Sequence, residues 1–87
     1  MDEMERAEDD FALKKLVDAV ENQIREGHPR EAGTVLIELT NQGVPAAEAI
    51  QRMAEVLAAN IAATFENDKP FDINTYARDL IGLTEKN

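Results

Sequence analysis

The stretch GVPAAEAIQRMAEVLAANIAATF, residues 43–65, most constrains what this chain can become. Within it Ala46, Ala49, Ile50, Met53, Leu57, Ile61 and Thr64 recur at intervals of three and four for about five turns. A strand would need alternation every second residue, and none is present. A second apolar strip, Val56, Ala59 and Ala63, lies roughly 80–160° round the same helix if each residue turns by 100°. Glu48, Gln51, Arg52 and Glu55 fill the polar side. A helix that is apolar over more than one face needs two layers of neighbours, or a second copy of itself.

The flanking segments supply shorter helices. Asp9 or Asp10 is expected to start the first, because either carboxylate can cap free N–H groups and favour the positive helix end. Leu13, Leu16, Val17, Val20 and Ile24 then mark one face, and Gly27-His28-Pro29 ends it. Pro29 suits the first turn of the next helix, whose buried stripe is Ala32, Val35, Leu36 and Leu39, with Ile37 pointing away. After the polar run Glu66–Pro70, Asp72 fits an N-cap, with Phe71 and Tyr76 placed as a hydrophobic staple. Ile73, Tyr76, Ala77 and Leu80 form the last apolar face, followed by Ile81 and Leu83. The expected fold is therefore an all-α, compact four-helix domain with helices over about 10–26, 30–42, 45–66 and 73–82. Residues 1–9 read as an acidic tail and 10–87 as one helical domain.

Composition excludes much chemistry. The chain has no Cys, no Ser and a single His, so Ser–His and Cys–His nucleophile pairs and thiolate or multi-imidazole metal sites cannot be built from it. His28 lies in a turn and reads as a solvated residue, and Tyr76 as a core residue whose hydroxyl finds a partner at the bundle edge. The acidic run Glu66–Asp72 lacks the alternating ligands, central Gly and terminal Glu of a calcium loop. The four glycines are isolated, so no phosphate-cradling loop exists. No catalytic, cofactor or metal residue is expected, and the chain reads as a non-enzyme.

Net charge is −9. Residues 1–10 hold six acids against Arg6, a net of −5, and the other 77 hold 12 acids and 8 bases, a net of −4. Clustered bases are missing, which disfavours nucleic acid and anionic membranes as partners. No apolar run approaches a membrane span, and the acidic start is unlike a secretory signal. The expected setting is cytoplasmic.

The pattern from Val20 to Leu83 resembles a group of small bacterial all-helical domains of unknown function. The residues that carry the likeness are Val20-Glu21-Asn22-Gln23, Pro29, Leu36, Leu39, Gly43, Glu48-Ala49-Ile50, Val56-Leu57, Ile61, Phe71-Asp72, Tyr76, Leu80 and Leu83. Members of that group often carry histidines where this chain has Leu13 and Val17, and Ala47 and Gln51. Any metal or acid–base role those histidines have is therefore missing here. The resemblance implies an all-α fold and a bacterial source, and no activity.

The functional expectation is a protein–protein interaction or homodimerising module, with Ile37, Val56, Ala59 and Ala63 as the interface. Small domains often gain stability by oligomerising, so the partner is another protein or a second copy of the chain. The alternative is an acidic inhibitor or DNA mimic that occupies a basic site on a nucleic-acid-binding protein.

Overall fold

A computed structural model describes the backbone over residues 2–85 and side chains over 13–85. Four helices follow one another: α1 (Asp2–Glu26), α2 (Arg30–Asn41), α3 (Ala46–Asn67) and α4 (Ile73–Gly82). The compact all-α four-helix domain is thus observed. Helix α3 packs against α1, α2 and α4, and α2 touches all three of the others. Among the described residues no helix is long and apolar enough to cross a membrane.

The second, third and fourth helices begin and end within a residue or so of expectation. Helix α1 differs, because it starts at Asp2 instead of Asp9 or Asp10. The reason is local: residues 2–10 contain Glu, Met, Arg and Ala, all good helix formers, and no Gly or Pro to stop the ladder. Acids near a helix N-terminus also suit its positive end.

Three helices end alike, with a left-handed residue and an N–H reaching back five positions. At α1 the residue is Gly27 (φ 70°) and His28 N–H donates to the Gln23 carbonyl at 3.1 Å. At α2 it is Gly43 (φ 99°), with Val44 N–H to the Leu39 carbonyl at 3.0 Å. At α3 it is Asp68 (φ 55°), with Lys69 N–H to the Thr64 carbonyl at 3.3 Å. These closures satisfy carbonyls that have no intrahelical donor. Glycine does this without strain; Asp68 does it as one of the few side chains that tolerate the conformation.

The core consists of Val20, Ala32, Val35, Leu39, Ala49, Met53, Ala54, Leu57, Tyr76 and Leu80. Every expected stripe contributes to it, and two expectations fail at the edges. Ala46 and Ile73 sit at helix starts and are exposed, since the first turn projects past its neighbours. Ala54 is fully buried although it lies off the expected stripe. The buried arc of α3, from Ala49 to Ala54, is about 140° wide at 100° per residue, broad enough for several helices to share.

Candidate apolar docking groove

Helix α4 is anchored by its first residues. The Asp72 carboxylate accepts from Asn74 N–H at 3.0 Å, from Thr75 N–H at 3.5 Å and from the Thr75 hydroxyl at 3.0 Å. This is the expected N-cap, extended by a second side chain. The Thr75 hydroxyl first, then the two N–H groups, hold the Asp72 carboxyl below the usual aspartate value. The staple is also present: the Phe71 and Tyr76 rings are 5.7 Å apart and tilted by 54°.

Tyr76 carries the capping geometry into the core. Its ring is fully buried, and its hydroxyl donates to Gln23 Oε1 on α1 at 2.7 Å. That bond ties α4 to α1 across 53 residues of sequence. Burial pushes the Tyr76 hydroxyl up to about 12, with Gln23 opposing the shift in part.

Beside this link lies a shallow groove of about 640 Å³. Its lining runs from Leu57 and Ile61 to Phe65 along α3, then through Pro70 and Phe71 of the α3–α4 turn to Gln23. Leu57, Ile61 and Phe65 are spaced by four and share one strip of the helix surface. Phe65 is 79% exposed and Phe71 40% exposed. The cap and staple fix Phe71 in place, so one wall is rigid and the other is a free ring. The groove offers apolar contact and, at its rim, Asp68 and Lys69. It holds no nucleophile–base pair. Among the described residues no group of three or more His, Asp or Glu side chains gathers to hold a metal.

The four residues expected at an interface fall in different places. Ile37 stands on α2 and is 61% exposed. Val56 is half-buried against the core. Ala63 borders a hollow between α3 and the start of α4, shared with Asn60, Asp72 and Thr75. On that side Asn60 Nδ2 donates to Asp79 of α4 at 3.1 Å and to the Val56 carbonyl at 3.0 Å. Helix α4 therefore lies along part of the strip, and of its three members only Ala59 is exposed. His28 lies exposed in the α1–α2 turn, beside a hollow lined by Pro29, Ile73 and Ala77.

Phe65 was not among the residues singled out by pattern. It lies one turn past Ile61 on the edge of the stripe, and a pattern assigns it inward or outward only if the covering helix is known to reach it. The available signal is length: the second and fourth helices, which pack on α3, are much shorter than it. The chain matches no protein-family model, no curated protein and no solved structure.

Proposed function

We propose that this chain is a non-enzymatic protein-interaction module that receives a partner in the groove between the end of α3 and the α3–α4 turn. The observation that supports it is Phe65, a large apolar ring 79% exposed beside an apolar hollow. The largest exposed apolar patch on a soluble domain is often functional. Aromatic side chains are also the ones that most often anchor protein contacts. Lack of Cys suits a cytoplasmic setting for such a module.

The reading is tested by titrating amphipathic peptides into isotopically labelled protein and following backbone amide shifts. Binding should perturb Leu57, Ile61, Phe65 and Phe71, and Phe65→Ser should weaken it. Shifts confined to other faces, or no peptide that binds, would sink the reading. Light scattering at rising protein concentration asks separately whether a second copy of the chain takes the groove.

A further inference from the structure

We draw no further inference here: the strongest candidate, the apolar groove between the end of α3 and the α3–α4 turn, has one acid and one base, Asp68 and Lys69, as its charged lining, and nothing in the structure shows what covers it.

Discussion

The two halves of α3 share one helix and one spacing, yet they have different fates. From Ala46 to Leu57 the helix buries Ala49, Met53, Ala54 and Leu57. From Ala58 to Asn67 it fully buries nothing, although Ile61 and Phe65 continue the same interval of four. The neighbours account for the contrast. At about 1.5 Å per residue α3 runs roughly 33 Å, whereas α2 and α4 run roughly 18 and 15 Å and cannot cover it from end to end. Helix α1 is long enough and packs on α3, but of its described residues it contributes Gln23 alone to the lining of the groove beside Ile61 and Phe65. Periodicity tells which face of a helix seeks burial; the lengths and placement of its neighbours decide where burial stops. The core half carries the buried side chains, and the other half leaves Phe65 exposed.

The sharpest way to break this contrast is to truncate a side chain in the covered half. Met53→Ala should destabilise the fold by about 2–5 kcal/mol, because Met53 is fully buried and the gap cannot close. Denaturant unfolding measures it; a loss below about 0.5 kcal/mol would mean that the covered half is not the core.

Tyr76 stands at the border of the two regions. Tyr76→Phe should cost about 1 kcal/mol, because it removes the bond to Gln23 while leaving the ring. The same residue predicts an alkaline signature. Its folded value, pushed up to about 12, lies above the unfolded tyrosine value of about 10. The stabilisation is therefore complete below about pH 10 and is lost as pH rises through the folded value. Tyr76→Phe should flatten the fall in thermal midpoint over that window. An unchanged fall would assign it to other groups.

In the uncovered half the expected effect is near nil. Phe65→Ser should change stability by less than about 0.5 kcal/mol, since its ring packs little in the free protein. A larger loss would show Phe65 to be core, and the groove to be filled by it.

The smallest effect concerns the α4 cap that fixes the groove's rigid wall. Asp72 has its folded pKa lowered, so its stabilisation is present above the unfolded value of about 4 and is lost as pH falls through the folded one. Asp72→Asn keeps an N-cap acceptor without titrating. At neutral pH its thermal midpoint should be close to that of the parent, and below about pH 4 its decline should be shallower. Parallel curves would mean that the Asp72 charge contributes nothing to the cap.

Legibility followed the range of the interactions. The Asp72 cap, the Phe71–Tyr76 staple and the Gly27 and Gly43 helix ends involve residues within five positions of each other, and each was readable as a short motif. The early start of α1 is also local: the unbroken run of helix formers before Asp9 and Asp10 outweighs the capping preference of those two residues. Tyr76 could be foreseen as needing a partner, but Gln23 lies 53 residues away and no spacing rule links them. The expected interface of Ile37, Val56, Ala59 and Ala63 rests on apolar positions off the core stripe. Helix α4 lies along part of that strip, while Phe65, at the edge of the stripe, is left bare.

By itself, then, the sequence determined the all-α class, the three later helices and the chemistry that cannot occur, because these depend on residue type and on neighbours a turn away. The tertiary structure alone decided that Ala54 is buried, that Tyr76 bonds Gln23 and that the end of α3 is uncovered. Those outcomes depend on how helices of unequal length lie across one another, and a helical pattern carries no information about where its neighbour ends.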